Sequence, residues 1–206
     1  MRDPGSISGP FAGMARDTVF LNGSTPIEEY ALVVYIPAPL GPFFDQLRGG
    51  LEPDSLFPRA HVTVLPPRPL RDGRTNEDAW RELEAPLLEL PAINVAAGRV
   101  EIFPVTNVVY LAVEAGFQQF LQLHDRLNHD SVAFTERYPY HPHITLAQGL
   151  EREQAEEVRS RAQAAWDGYG GPRSFEAARY SFVQNTACQR WLDLHEIDIS
   201  SFSRTA

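Results

Sequence analysis

The sequence predicts an α+β fold of two similar lobes that face each other across one cleft. Two observations lead to this prediction. Segments with the pattern of strands and segments with the 3.6-residue pattern of helices follow one another in the same order twice along the chain. Each repeat also contains a strand of the form His-x-Thr-x, at residues 61–64 and again at 143–146. A duplicated unit of this kind favours two lobes related by a pseudo-twofold axis.

The first repeat is delimited by proline, glycine and a helix-capping pattern. Its predicted elements are a strand over 30–36, a helix over 42–48, the first motif strand over 60–65, a helix over 76–90 and a strand over 94–103. Gly49-Gly50 should stop the first helix, and Pro66-Pro67 should end the motif strand. Thr75 and Asp78 have the spacing of a capping box before the second helix.

The second repeat has the same order and adds one strand at the end. Its predicted elements are a strand over 108–114, a helix over 117–128, the second motif strand over 143–147, a helix over 152–166 and strands over 175–184 and 191–199. The motif histidines lie at comparable distances from the strand that leads each repeat. The chain is therefore expected to form one bilobal domain over residues 26–206, preceded by a flexible leader or extra edge strand over 1–25.

Composition narrows the classes of function. The chain is 43% hydrophobic and contains no run long enough to span a membrane, so we expect a globular protein that is not membrane-bound. Its single cysteine, Cys188, rules out an intramolecular disulfide, agrees with a cytoplasmic location and is interpreted as a small buried hydrophobe.

The charged residues narrow the classes of function further. The net charge of −9 opposes broad binding to duplex DNA, so a nucleic-acid partner should be a small nucleotide or a short single-stranded RNA end. All 18 basic residues are arginine, which excludes enzymes that depend on a particular lysine, such as P-loop NTPases, protein kinases and Schiff-base enzymes.

The two motifs present the same chemistry. Alternate residues of a strand share a face, so His61 lies beside Thr63 and His143 beside Thr145, while the apolar residues between them face the core. With 6 His and 9 Thr in the chain, a threonine two positions after a histidine is expected only about 0.3 times by chance, yet the pair occurs twice. Two imidazoles on opposite sides of one phosphate can act as general base and general acid, and the hydroxyls can hold its non-bridging oxygens. No metal or other cofactor is required.

The duplicated His-Val-Thr-Val and Pro-His-Ile-Thr-Leu segments resemble the two signature motifs of the two-histidine (2H) phosphoesterase superfamily, over about residues 28–200. The resemblance implies a bilobal fold like that of LigT, with antiparallel sheets around a central cleft and helices outside. It also implies metal-independent opening of 2′,3′-cyclic phosphates, or action on related 2′-5′ or cyclic nucleotide diesters. His61 and His143 would be the catalytic pair, with Thr63 and Thr145 on the phosphate. The sequence does not assign the base and the acid.

Several residues near the motifs are candidates for binding substrate. Arg68 and Arg71, with Arg74, form a basic patch that could contact phosphate or could be a solvated loop. Tyr138 and Tyr140 could stack on a base or pack at the rim of the cleft.

The remaining histidines and aromatic residues receive more ordinary interpretations. His141 could orient the site, lie exposed, or form half of a metal site with His143, although no cysteine pair or carboxylate has ligand spacing. His124, His129 and His195 are interpreted as structural. Phe103, Phe182 and Trp191 are interpreted as core residues.

Three further functions are compatible with the sequence. An ATP-independent 2′-5′ RNA ligase is disfavoured by the acidic composition, since a large RNA needs a broad positive surface. The second is a nucleotide-binding module without turnover, and the third is a metal-dependent hydrolase that uses His141 and His143. We expect a monomer.

Overall fold

The computed structural model describes residues 26–52, 58–187 and 190–200. The predicted leader or edge strand over 1–25 and the predicted burial of Cys188 lie outside these residues. The strands are β1 (Pro26–Tyr35), β2 (His61–Arg68), β3 (Ile93–Ile102), β4 (Val109–Val113), β5 (His143–Ala147), β6 (Ser174–Ala177), β7 (Arg179–Thr186) and β8 (Trp191–Asp198). The helices are α1 (Leu40–Leu51), α2 (Asn76–Leu88), α3 (Phe117–Leu127) and α4 (Arg152–Asp167), with a short 3₁₀ turn at Asp130–Val132.

The strands form two four-stranded antiparallel sheets of matching order, β2-β1-β7-β8 and β5-β4-β3-β6. Each motif strand is an edge strand and pairs with the strand that leads its repeat. The helices also cross between lobes, since α1 packs against β5 and α3 packs against β2. The predicted α+β fold of two similar lobes is confirmed.

The two sheets do not divide the chain into an N-terminal and a C-terminal half. The strand after α2, β3, joins the sheet of the second repeat, whereas β7 and β8 complete the sheet of the first. The single strand predicted over 175–184 is therefore two strands, β6 and β7, which belong to different sheets. A pattern of alternating burial does not reveal a change of partner strand, which explains the error.

The predicted ends of helix α1 and of strand β2 were wrong. Helix α1 continues through Gly49-Gly50, and the Glu52 amide donates to the Arg48 carbonyl at 2.9 Å. A glycine costs a helix only about 1 kcal/mol, which packing of the buried face can outweigh. Strand β2 continues through Pro66-Pro67 to Arg68, because an edge strand tolerates the loss of an amide donor.

The predicted capping box is confirmed. The Asp78 amide donates to Thr75 Oγ1, and the Thr75 amide donates to Asp78 Oδ2, both at 3.1 Å. Pro86 lies inside α2 without ending it.

One hydrophobic core connects both sheets and all four helices. Val62 and Val64 of β2 are completely buried in it, as are Ile144 and Leu146 of β5. The His and Thr side chains that alternate with them are partly exposed on the opposite faces. The alternation predicted for both motif strands is therefore present. No helix among the described residues has the length and apolar character needed to cross a membrane.

Candidate active site

A cleft of about 770 Å³ contains both motifs. His61 and Thr63 enter it from β2, and His143 and Thr145 enter it from β5. The two strands contact each other at the facing edges of their sheets. The fold therefore brings together two His-Thr pairs that are about 80 residues apart in the chain.

The two imidazoles are held in the same way. His61 Nδ1 lies 2.7 Å from the Arg59 carbonyl oxygen, and His143 Nδ1 lies 2.7 Å from the His141 carbonyl oxygen. A carbonyl oxygen only accepts hydrogen bonds, so each Nδ1 must carry the proton and donate. In the neutral ring, each Nε2 is then the unprotonated nitrogen. This matched arrangement gives both histidines a nitrogen that can accept a proton, or donate one after protonation.

Burial makes both imidazoles prefer the neutral form. It lowers the pKa of His61 to about 4, opposed by the Arg59 carbonyl and reinforced by the charges of Arg48 and His143. It also lowers the pKa of His143, opposed by the His141 carbonyl. The cleft thus holds two neutral histidines close enough for the charge of one to affect the other. A bound phosphodiester anion would favour the protonated form of either ring.

Arg48 is a cleft residue that the sequence did not indicate. It lies in the last turn of α1 and lines the cavity, although only 2% of its surface is exposed. Its Nη1 lies 3.5 Å from Asp45 Oδ1. Burial lowers the pKa of Arg48 to about 10, which leaves it charged at neutral pH. Arg48 therefore adds a permanent positive charge near His61.

Aromatic side chains pack beside both motif imidazoles. Trp191 lies 4.6 Å from His61 between ring centroids, and Phe103 lies 5.0 Å from His143 with its ring perpendicular. Both aromatic residues are partly exposed and line the cleft. The prediction that Phe103 belongs to the core was wrong, whereas Phe182 is buried as expected. Trp191 packs against the small core cluster of Ala31, Val33 and Val183 and also lines the cleft. The sequence shows apolar residues in strands but not which sheet face borders a cleft.

Three of the predicted substrate residues line the cleft: Tyr138, Tyr140 and His141. Tyr138 is 42% exposed at the rim, where Val105 and Phe134 are 71% and 41% exposed. Among the described residues, Leu88 is the fourth large hydrophobic residue that is exposed. It lies on α2 and does not line the cavity. The exposed apolar surface is thus concentrated at the cleft.

The basic patch does not form as predicted. Arg68 is 1% exposed, and its guanidinium donates to Asn128 Oδ1 at 2.7 Å and pairs with Glu136. This burial corrects the prediction that Arg68 contacts phosphate, because its donors are already bonded within the protein. Arg71 is exposed but does not line the cleft, and neither does Arg74. The burial of Arg68 depends on contacts with residues 60 or more positions away, which the local sequence does not show.

The other histidines lie outside the cavity lining. His124 is buried, His195 stacks on Trp80 at 5.1 Å, and His129 pairs with Asp130. Within residues 26–52, 58–187 and 190–200, no group of three or more His, Cys, Asp or Glu side chains is arranged to hold a metal ion.

Comparison with known proteins identifies similar sequences. The family model described as "2'-5' RNA ligase superfamily" matches residues 36–183, more than half of the chain. A protein of Oceanobacillus iheyensis is 32% identical over 93 residues, which make up 45% of this chain and 54% of that protein. A protein of Staphylococcus aureus strain Newman is 29% identical over 101 residues, 48% of this chain and 59% of that protein. Both names contain the word "phosphoesterase". The match covers little more than half the length of these relatives.

Solved structures share the fold. Escherichia coli LigT in complex with 3′-AMP aligns with a TM-score of 0.54 at 16% identity, covering 84% of this chain and 98% of LigT. Protein TT0787 of Thermus thermophilus aligns with a TM-score of 0.52 at 16% identity, covering 83% of this chain and 97% of that protein. At these identities the alignments establish a common fold and confirm the LigT-like architecture.

Proposed function

This chain belongs to the 2′-5′ RNA ligase superfamily, and on that premise we propose that it is a metal-independent phosphodiesterase. Its substrates would be nucleoside 2′,3′-cyclic phosphates or related 2′-5′ and cyclic nucleotide diesters. The family and the names of the relatives support a phosphoesterase in general. The finer assignment rests on the chemistry of the cleft.

One observation carries the proposal. Both motif histidines donate their Nδ1 proton to a backbone carbonyl two residues upstream, and both rings line one cavity. The two Nε2 atoms are therefore the exchangeable positions. General acid–base catalysis across one phosphate needs such a pair, with one ring neutral and the other protonated.

The reaction with a 2′,3′-cyclic phosphate would use both rings. Water attacks phosphorus, and the neutral Nε2 of one histidine takes the water proton. The P–O3′ bond breaks, and the protonated Nε2 of the other histidine gives its proton to the leaving oxygen, which yields a 2′-phosphate. The hydroxyls of Thr63 and Thr145 would donate to the non-bridging oxygens, and the charge of Arg48 would favour the anion. Water is consumed, and the two histidines exchange protonation states.

The cleft and the charge of the chain favour a small substrate. A volume of about 770 Å³ lies within the range of about 300–1,000 Å³ that is usual for small-molecule sites. The net charge of −9 opposes binding of a large RNA. LigT structures are described as complexes with 3′-AMP, NADP⁺ or ATP, which supports nucleotide-sized ligands for this cleft. We place the protein in the cytoplasm as a monomer that acts on small nucleotides or short single-stranded RNA ends.

A substrate panel tests the proposal. Nucleoside 2′,3′-cyclic phosphates, 2′-5′ oligoadenylates and ADP-ribose 1″,2″-cyclic phosphate would be incubated with the protein in EDTA, and the products identified by chromatography and ³¹P NMR. We expect turnover of at least one diester, with a cyclic phosphate yielding the 2′-phosphate. Binding of nucleotides without turnover of any diester would favour the binding module. Turnover that EDTA abolishes and a divalent metal restores would contradict the metal-independent mechanism.

A further inference from the structure

Two side chains of the second repeat bind the backbone of the first motif strand. Tyr140 Oη donates to the Thr63 carbonyl oxygen at 2.7 Å, and His124 Nδ1 lies 2.9 Å from the Val64 carbonyl oxygen, so this nitrogen is the donor. We propose that Tyr140 and His124, here called the cross-lobe clamp, are positioning residues that set the spacing of the two catalytic histidines. This inference rests on the proposed function of the cleft.

The two side chains of the clamp pack against each other and against buried neighbours. The rings of His124 and Tyr140 stack with centroids 4.1 Å apart and planes within 8° of parallel. His124 is 4% exposed, and its Nε2 lies 3.6 Å from Glu136 Oε1. The same carboxylate oxygen pairs with the buried Arg68. These contacts fix the rotamers of the clamp, as a side chain that positions a neighbour requires.

The clamp is connected to both His-Thr pairs through short stretches of backbone. Tyr140 is followed directly by His141, whose carbonyl holds the Nδ1 proton of His143. The Tyr140 hydroxyl donates to the carbonyl of Thr63. Thr63 lies two residues after His61, and its side chain lines the cleft. The Tyr140 side chain thus connects the strand that carries His61 with the peptide that orients His143.

The position of β2 in its sheet explains why such a clamp matters. Among the described strands, β2 lies at the edge of its sheet and pairs with β1 alone. The Thr63 and Val64 carbonyls accept hydrogen bonds from side chains of the second repeat. A displacement of about 1 Å between catalytic groups can reduce turnover by about 100-fold. Loss of one of the two clamp hydrogen bonds should displace β2 by less than about 1 Å, so we expect turnover to fall by about tenfold.

The test compares two variants that each lose one tyrosine hydroxyl. Tyr140→Phe removes the donor to Thr63 and retains the ring that stacks on His124. Tyr169→Phe is the matched control, because Tyr169 Oη is buried without a hydrogen-bond partner in the described part of the chain and Tyr169 does not line the cleft. For the diester that the protein turns over, we expect Tyr140→Phe to lower kcat about tenfold with KM within about twofold. Tyr169→Phe should leave both constants near those of the parent.

A second pair of variants tests the other clamp bond. In His124→Asn the side-chain amide can replace Nδ1 as the donor to Val64, whereas His124→Leu has no donor. We expect kcat of His124→Asn to exceed that of His124→Leu by at least threefold. Unchanged kcat in Tyr140→Phe would overturn the proposal, and so would a raised KM at constant kcat, which would instead make Tyr140 a substrate contact.

Amide hydrogen exchange separates this inference from the proposed function. Exchange in β2 should be faster in Tyr140→Phe than in Tyr169→Phe, whether or not a substrate has been found. If the parent protein turns over none of the diesters but exchange in β2 rises in Tyr140→Phe alone, the proposed function fails and the structural clamp stands. If exchange in β2 is the same in both variants, the clamp fails even in an active enzyme.

Discussion

Replacing Tyr138 with alanine should weaken the binding of substrates that carry a base. Tyr138 is 42% exposed at the rim of the cleft. For a ring that can bury about 200 Å², this fraction corresponds to about 80 Å² available to a stacking base. At about 25 cal/mol per Å² the contact contributes about 2 kcal/mol, which is about 30-fold in kcat/KM. The value lies within the range of about 1–3 kcal/mol found for bases stacked on aromatic side chains.

The assay uses two substrates with the same reacting group. A nucleoside 2′,3′-cyclic phosphate carries a base, whereas glycerol 1,2-cyclic phosphate has none. Tyr138→Ala should lower kcat/KM about 30-fold for the first and by less than threefold for the second. Leu88→Ala is the control, because Leu88 has a similar exposure of 39% but lies outside the cleft lining. Equal losses on both substrates, or no loss on either, would refute the stacking role of Tyr138.

Three further predictions follow from the buried charges. Arg48 lowers the pKa of His61, so Arg48→Met should move the limb of the kcat/KM profile that His61 sets to higher pH, which is the acid limb for a base and the alkaline limb for an acid. A profile in which neither limb moves would contradict this role of Arg48. His61 has a folded-state pKa of about 4 against an ordinary value of 6.5, so the unfolded chain binds more protons between these values. The free energy of unfolding in urea should therefore fall as the pH drops from 6.5 towards 4, and less so in His61→Gln; equal pH dependence in both proteins would contradict this. Arg68→Met should lower the free energy of unfolding by about 3 kcal/mol because it leaves Glu136 without its buried partner. A raised KM at unchanged stability would instead restore Arg68 as a phosphate contact.

The motif strands could be predicted because their information is local. A strand alternates its faces with a period of two, so the sequence alone pairs His61 with Thr63 and buries Val62 and Val64. The second motif follows the same rule, and the duplication then indicates a shared cleft. The capping box at Thr75 is local in the same sense, because its two partners are three residues apart.

The errors concern contacts between distant segments. Arg48 precedes His61 by 13 residues, and the packing of α1 against β5 brings it to the cleft. Arg68 looks like part of an exposed basic loop, but contacts with Asn128 and Glu136 bury it. Phe103, which directly follows β3, has the composition of a core residue, yet it is partly exposed and lines the cleft. In each case burial depends on tertiary packing, which outweighs local propensity.

The most direct test of the two-histidine mechanism is kcat/KM for a turned-over diester in EDTA, measured for the parent, His61→Ala and His143→Ala. His129→Ala is the control, since His129 is partly exposed and does not line the cleft. We expect each motif variant to lose about 10²–10⁴-fold, the usual contribution of one general acid or base, while His129→Ala retains the activity of the parent. Activity within tenfold of the parent in either His61→Ala or His143→Ala would contradict the mechanism.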